Sequence, residues 1–407
     1  MGGDAVRRAT ARLAGGREVE LVSGALEGER RELGALGSAA PVRRAFAAAH
    51  LVMTREFAEL PVERARALRG RDLTPWIDWS STAKLRRRFD ELGLGVAEAM
   101  DTAQRFEVGW DVACELIERC GSLRLANGFV AGASADQLAA GASRAQLVDA
   151  IVEQARFIQR CGGEVMLLPQ PSLVAERASE DDFVAFYRAI FERSDGPLFV
   201  HWLGEMFHPG LRGYFPGRSF ERVMALDPAK VRGAKLSLLD DALELRLRRE
   251  LAERDQIVLT GDDFHFADLI AGGGAPARWT RIGERSVALG DFSHALLGAF
   301  DAVALPASLA LRWLAHGRRE RALALLRPCE QLSRAVFEPP TSRYKAGLAF
   351  LAWLSESQPT FALPARLDLE RNLDHFVRLA SLASSAGLLP DAALAADRLE
   401  RFARERT

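Results

Sequence analysis

The sequence lacks a charge imbalance and a cysteine framework. In 407 residues, 54 lysines and arginines face 55 aspartates and glutamates, so net charge gives no support for nucleic acid or an anionic membrane as a partner. The four cysteines form neither a C-x-x-C pair nor the dense, even spacing of a secreted scaffold. We expect them to be reduced thiols in the core; they are Cys114, Cys120, Cys161 and Cys329.

Long apolar runs and common catalytic motifs are also missing. No apolar stretch approaches the length of a membrane span, and the first residues show no apolar core of a signal peptide, so we expect a soluble cytoplasmic protein. The glycine-rich segment 272–277 does not end in Gly-Lys-Ser or Gly-Lys-Thr, and no G-x-S-x-G elbow occurs. These absences direct attention to a small-molecule site of another kind.

From about residue 44, short apolar runs alternate with amphipathic stretches of helical period. Such alternation is typical of a parallel sheet built from βα units. Eight runs predict strands, at 45–53, 94–100, 127–133, 164–169, 197–202, 231–236, 256–261 and 298–305.

Eight strand and helix alternations in some 260 residues predict a (β/α)₈ TIM barrel, an α/β fold, with a doubly wound open sheet as the alternative. We assign residues 1–43 to an N-terminal extension that forms a peripheral hairpin or cover. Residues 44–306 form the barrel, and residues 307–407, which keep a helical period, form a C-terminal helical appendage. The extension and the long loop at about 271–295 are candidates to cover the mouth of the barrel.

A lysine lies within the predicted sixth strand, in the stretch "VRGAKLSLLD". Burying an ammonium group is costly, so Lys235 either reaches water along its stem or has a chemical use. If desolvation lowers its pKa, the amine can attack a carbonyl, and the imine that forms can act as an electron sink. Lys235 is therefore a candidate nucleophile.

Polar side chains cluster at the ends of the other predicted strands, where TIM barrels carry their active groups. We expect them to bind substrate; they are Glu98, Asp101, Thr102, Glu205, Asp263 and His265. His201, at the end of the fifth strand, is a candidate catalytic group because imidazole titrates near neutral pH.

A divalent metal ion is the alternative use of these carboxylates and histidines. In "HWLGEMFH", Glu205 follows His201 by four residues and His208 follows Glu205 by three, a spacing that fits one face of a helix. The spacing does not match a tight metal motif. We therefore assign no metal ligands and expect no cofactor, with a divalent metal as the exception to test.

Several of these segments resemble the dihydrodipicolinate synthase and N-acetylneuraminate lyase superfamily of class I aldolases. The similarity extends over roughly residues 73–355 and is carried by "GLGVAEAMDTAQR", "HWLGEMF", "KLSLLD", "TGDDF" and "HALLGAFDA". The resemblance implies that Lys235 in "GAKLS" is the Schiff-base lysine and that "GDD" is the superfamily's Gly-Asp-Asp segment. It also implies a homo-oligomer supported by the C-terminal helices.

Two positions depart from the superfamily pattern. Where the superfamily has Gly-Thr-Thr-Gly-Glu for a keto-acid carboxylate, this chain has Asp101 before Thr102, and the superfamily's proton-relaying tyrosine is replaced by His201. A carboxylate at Asp101 would repel a substrate carboxylate across a pocket of low dielectric constant. A neutral keto-sugar, an aldehyde or a sugar acid in another orientation is easier to accommodate.

These observations predict a lyase of class I aldolase type, cleaving or forming a C–C bond of a keto-acid, keto-sugar or sugar-derived substrate through a Schiff base at Lys235, with His201 relaying protons. Two other readings stay open. One is a metal-dependent sugar isomerase, epimerase or lyase on the same barrel, and the other is a barrel that binds a sugar without catalysis.

Overall fold

Short strands rich in Ala, Val and Leu, most of them buried along their whole length, build the centre of the protein. In a computed structural model, residues 6–37 and 39–406 are described. The strands there are β1 (Arg7–Arg12), β2 (Glu18–Ser23), β3 (Ala45–Ala48), β4 (Gly95–Glu98), β5 (Phe129–Ala133), β6 (Glu164–Leu167), β7 (Leu198–Leu203), β8 (Val231–Ser237), β9 (Ile257–Thr260), β10 (Arg278–Ile282), β11 (Arg285–Leu289) and β12 (His294–Leu297).

One helix precedes the barrel, and the others follow the barrel strands and continue to the end of the described chain. They are α1 (Glu27–Leu36), α2 (Arg55–Glu59), α3 (Val62–Ala67), α4 (Gly70–Leu73), α5 (Trp79–Glu91), α6 (Arg105–Val108), α7 (Trp110–Ser122), α8 (Arg144–Arg160), α9 (Pro171–Ala175), α10 (Glu180–Arg193), α11 (Ser219–Met224), α12 (Asp241–Ala252), α13 (Phe266–Ala271), α14 (Phe300–Ala315), α15 (Arg319–Val336), α16 (Tyr344–Leu354), α17 (Leu373–Ser385) and α18 (Ala392–Arg406).

The strands β3 to β9 and β12 close into a parallel barrel in the order β12-β3-β4-β5-β6-β7-β8-β9. This confirms the predicted (β/α)₈ barrel. Alternate residues of each strand point inward, and side chains such as Phe46, Val130, Met166, Phe199 and Ile257 fill the interior.

The eighth predicted strand was wrong. Residues 298–299 lead into α14 and residues 300–305 form its first turns, while the eighth strand is the four-residue β12, just before them. A short run of Ala, Val and Leu suits a buried helix as well as a buried strand, because both bury apolar side chains on all sides. The boundary that we place at 306/307 falls within α14, while the division of the chain into three domains stays a prediction.

The N-terminal hairpin is present, but it packs away from the mouth of the barrel. Strands β1 and β2 pair antiparallel and lie against α17 and α18. The backbone N–H of Arg12 donates to Glu400 at 2.7 Å, and that of Val22 donates to the Ser384 hydroxyl at 2.7 Å. The hairpin β1–β2 therefore packs against α17 and α18, the last two helices of the described chain.

The long loop at 271–295 contains the second hairpin, β10–β11, which closes the N-terminal end of the barrel. Ile282, Val287 and Leu289 join the apolar cluster inside the barrel, and Arg285 donates to the Ala126 carbonyl, which precedes β5. The opposite end, where the strands terminate, is not covered by this hairpin.

The C-terminal helices form an apolar layer beside the barrel, with a cluster of aromatic rings between α16, α17 and α18. Helix α16 begins at Tyr344, whose ring stacks on Phe337 with centroids 4.3 Å apart. Within the described residues, no helix is long and apolar enough to cross a membrane. The four cysteines are free thiols, as predicted, but only Cys120 and Cys329 are buried in the core, whereas Cys114 and Cys161 are partly exposed.

Candidate active site

Lys235 lies near the C-terminal end of β8 and points into the barrel. It pairs in register with His201 of β7, and His201 follows the interior residue Phe199 by two positions, so both side chains project inward. Gly261 allows this placement, because a Cβ there would come within 2.8 Å of the Lys235 Cε and 2.2 Å of the Ser237 Oγ. The strand register thus brings together a lysine and a histidine predicted from the sequence.

Lys235 lines a small chamber of about 20 Å³, the room that one water molecule needs. Asp101, Thr102 and Asp263 also line the chamber, as the sequence predicted for three substrate-binding candidates. The structure adds further residues to the walls, namely Ser237, Phe207, Phe337 and Tyr344.

Burial lowers the pKa of Lys235 below its usual value, and the negative charges of Asp263 and Asp101 oppose that shift without cancelling it. Burial also raises the pKa of Asp263, although its Oδ1 accepts a hydrogen bond of 2.9 Å from the Ala299 backbone N–H. The amine and the carboxyl therefore titrate closer together than a lysine and an aspartate in water.

His201 is almost fully buried, with 2% of its surface exposed. Its Nε2 lies 3.1 Å from the Ser237 hydroxyl, while its Nδ1 has no hydrogen-bond partner. Burial, reinforced by the charge of Lys235, lowers the pKa of His201 well below its usual value, so the imidazole is neutral near pH 7. A buried nitrogen without a partner can bond to a ligand that reaches this point.

Asp101 is held by two side chains from the C-terminal region. Lys345 donates from Nζ to Asp101 Oδ1 at 2.9 Å, and the Tyr344 hydroxyl donates to Oδ2 at 3.0 Å. The same hydroxyl lies 2.9 Å from Thr102 Oγ1. Because the Lys345 ammonium neutralises Asp101, the repulsion of a substrate carboxylate expected from the sequence is largely removed.

Tyr344 and Lys345 are site residues that the sequence analysis did not find. They lie more than 240 residues from Asp101 along the chain, so no local spacing connects them. One signal was available: the chain has only four lysines, Lys84, Lys230, Lys235 and Lys345, among many arginines. Lysine carries a compact point charge on a flexible stem, so it is not interchangeable with arginine where one carboxylate oxygen has to be paired.

Glu98 is not brought to the chamber. It lies on the outer side of β4, fully buried, and pairs with Arg86 of α5 through bonds of 2.8 and 2.9 Å. Strand alternation explains its position: Ala97 points into the barrel, so Glu98 must point out. This geometry gives Glu98 a structural role and leaves it without access to a substrate in the chamber.

Glu205 and His265 also lie outside the chamber. Residues after Leu203 form a turn instead of the helix that the spacing suggested, and Glu205 is exposed, paired with Arg212 at 2.9 Å. His265 bonds through Nδ1 to Asp262 at 2.9 Å. Within residues 6–37 and 39–406, no three His, Cys, Asp or Glu side chains are grouped to hold a metal ion.

A second, larger cavity of about 390 Å³ adjoins the chamber above the ends of β5, β6 and β7. Asp101, His201 and Leu203 line both spaces, so the two spaces meet at these residues. Volumes of this size are common for small-molecule sites.

The barrel is similar in fold to solved structures of dihydrodipicolinate synthases and related aldolases, which agrees at the level of the fold with the resemblance stated above. A dihydrodipicolinic acid synthase family prophage protein from E. coli K12, solved with pyruvate, shares 13% identity over 86% of this chain and 100% of its own, with a TM-score of 0.60.

Two further solved structures give the same picture. Dihydrodipicolinate synthase from Agrobacterium tumefaciens matches with a TM-score of 0.56 at 18% identity, over 85% of this chain and 98% of its own. A variant of 2-keto-3-deoxygluconate aldolase from Sulfolobus solfataricus matches with a TM-score of 0.56 at 10% identity, over 84% and 95%.

The chain itself belongs to the family described as "Protein of unknown function (DUF993)", which matches residues 18–405. No curated protein matches it by sequence.

Proposed function

We propose that the protein is a lyase of class I aldolase type in which Lys235 forms a Schiff base with a carbonyl substrate. The observation that carries this proposal is the position of Lys235: an amine of lowered pKa, pointing into a small chamber at the C-terminal end of a barrel, beside a carboxyl of raised pKa. An amine must be neutral to attack a carbonyl, and desolvation supplies that condition.

The first step joins the Lys235 nitrogen to the carbonyl carbon, and the carbonyl oxygen takes up a proton. Loss of that oxygen as water then leaves an iminium ion. Asp263 is the group proposed to accept the excess ammonium proton and to return a proton to the leaving hydroxyl, because its raised pKa suits both directions.

The iminium ion is the electron sink for the C–C step. When the substrate carries a hydroxyl two carbons from the iminium carbon, a base removes the hydroxyl proton, the C–C bond breaks and an aldehyde leaves. The electron pair stays as an enamine, which takes a proton on carbon and is hydrolysed to the second product. Condensation is the same sequence in reverse.

Two groups are proposed to move protons in this step. His201 is neutral and has a free Nδ1 at the wall of the chamber, so it can accept a hydrogen bond or a proton there, although its lowered pKa limits the lifetime of the charged form. Tyr344 has a hydroxyl bonded to Asp101 and Thr102 inside the chamber, and burial raises its pKa well above the usual value. We propose that Tyr344 shares the role of the superfamily tyrosine that His201 replaces.

A split between adduct formation and turnover tests these two roles. We expect Tyr344→Phe and His201→Gln to form the covalent adduct but to slow its conversion, because both groups act after the imine has formed. Unchanged turnover in either variant would remove that residue from the proposal.

The test of the proposal itself is intact mass after borohydride reduction, which makes an imine permanent. Wild type and Lys235→Ala would each be incubated with pyruvate and a panel of 2-oxo acids, keto-sugars and aldehydes, with circular dichroism as the control for folding. We expect an adduct in wild type alone. A folded wild-type protein that gives no adduct with any compound would contradict the proposal.

A further inference from the structure

The larger cavity beside the Lys235 chamber is lined mainly by carbon. It lies above the ends of three barrel strands, between the loop 134–143 that follows β5 and the segment 204–211 that follows β7. Its apolar wall includes Phe106, Leu138, Leu147, Leu168, Leu203 and Leu211. Phe106, at 53% exposure, is one of the few large apolar side chains that the described protein leaves open to solvent.

The polar side chains on this wall are mostly bonded within the protein. Asp136 accepts two bonds from Arg105, at 2.7 and 2.9 Å, and a third from Gln154 at 3.1 Å. Gln170 donates to the Ser134 hydroxyl and to the Leu168 carbonyl, both at 3.2 Å.

Asp101 is likewise bound by Lys345 and Tyr344, and His208 accepts at Nδ1 from the Gly210 N–H at 3.1 Å. Ser172 adds one half-buried hydroxyl on α9. A ligand with many hydroxyl groups would have to bury them against carbon or against groups that are already satisfied, which is unfavourable.

Among the described residues that line these two spaces, one side chain has a buried polar atom without a hydrogen-bond partner. His201 lines both of them, and its Nδ1 has no partner. From the chamber to the larger cavity, the groups without a partner are therefore the Lys235 amine and then the His201 Nδ1, followed by a mainly apolar wall.

We infer that the substrate carries its carbonyl on an apolar body: the carbonyl reaches Lys235, one polar group beside it meets His201, and an alkyl or aryl part occupies the larger cavity. This inference rests on the proposed Schiff-base function and narrows its substrate class. It replaces the sugar-derived substrate suggested by the sequence, because the cavity offers few free partners for hydroxyl groups.

Two six-carbon 2-oxo acids that differ only in hydroxyl groups make the test direct: 2-oxohexanoate and 2-keto-3-deoxygluconate. Wild type would be incubated with each compound at equal, sub-saturating concentration and reduced with borohydride, and the adduct would be quantified by intact mass. We expect about tenfold more adduct with 2-oxohexanoate, the ratio that a modest difference in burial produces.

Leu138→Asp places a charge on the apolar wall, and Leu388→Asp is the matched control, since both leucines are half-buried in loops and pack against the main core. We expect the preference for 2-oxohexanoate to disappear in Leu138→Asp and to persist in Leu388→Asp. More adduct with 2-keto-3-deoxygluconate than with 2-oxohexanoate, or equal amounts, would overturn the apolar assignment and leave the Schiff base standing.

Thermal unfolding of Lys235→Met with each compound separates the inference from the function on which it rests. If wild type forms no adduct but 2-oxohexanoate raises the melting temperature of Lys235→Met, and adding Leu138→Asp removes the rise, the apolar site stands and the Schiff base fails. No adduct and no rise with either compound would overturn both.

Discussion

The two ends of the barrel are built from the same eight strands but hold opposite kinds of side chain. At the N-terminal end, the hairpin β10–β11 inserts Ile282, Val287 and Leu289 among interior apolar residues. At the C-terminal end, the interior holds His201 and Lys235. They lie two residues beyond the interior positions Phe199 of β7 and Gly233 of β8. The N-terminal end stabilises the fold through apolar packing, whereas the polar groups buried at the C-terminal end lower the stability of the fold.

Replacing the lysine should separate these two properties most strongly. We expect Lys235→Met to abolish the borohydride-trapped adduct while its melting temperature equals or exceeds that of wild type, because a buried amine is exchanged for an apolar side chain of similar length. Melting curves and intact mass on the same samples check this. A clear loss of stability would show that the lysine has a structural role.

Shortening an apolar side chain at the N-terminal end of the barrel should lower the stability of the fold and leave adduct formation unchanged. Ile282 is fully buried inside the barrel, so Ile282→Ala should lower the free energy of unfolding by about 2–4 kcal/mol. Adduct yield per folded molecule should not change. The control is Trp279→Ala on the same hairpin, where the ring is 53% exposed and the expected change is within about 0.5 kcal/mol.

Removing the cation that faces Asp101 tests how charge is balanced at the C-terminal, polar end of the barrel. We expect Lys345→Met to reduce trapping of a 2-oxo acid by about tenfold, because an unpaired carboxylate then repels the substrate carboxylate. The double variant Lys345→Met/Asp101→Asn should recover much of the loss, since it removes both charges. If the double variant is worse than the single one, the pair binds substrate directly instead of balancing charge.

The smallest expected effect is a shift in pH dependence. Because burial lowers the pKa of Lys235, the trapping rate should reach its plateau below the pH at which an ordinary lysine, with a pKa of about 10.4, loses its proton. Asp263→Asn removes a charge that favours the ammonium form, so it should move the profile further toward low pH. Rates of adduct formation across pH measure both, and a shift toward high pH would contradict this account of the charges.

Sequence reasoning found the barrel and five of the residues in its chamber, because strand ends in a parallel barrel converge at one face. It misplaced the eighth strand, since residues 298–305 are equally apolar whether they form a strand or the first turns of α14. It also placed Glu98 at the site, although Glu98 points out of the barrel. Successive residues of β4 point to opposite sides of the strand, so the neighbouring Ala97 is the one that points inward.

Tyr344 and Lys345 could not be found by spacing, because the C-terminal helices bring them to Asp101 only in the folded chain. The ion pair between Lys345 and Asp101 also explains why a carboxylate is tolerated at a position where the superfamily pattern has none. The tertiary contact, and not the local motif, sets the charge of the chamber.

The most direct test of the central claim is to locate the adduct. After reduction with borohydride in the presence of a substrate that labels the protein, proteolysis and tandem mass spectrometry would assign the added mass among Lys84, Lys230, Lys235 and Lys345, the only lysines in the chain. We expect the label on Lys235 alone. A label on Lys345, or one spread over the four lysines, would contradict it.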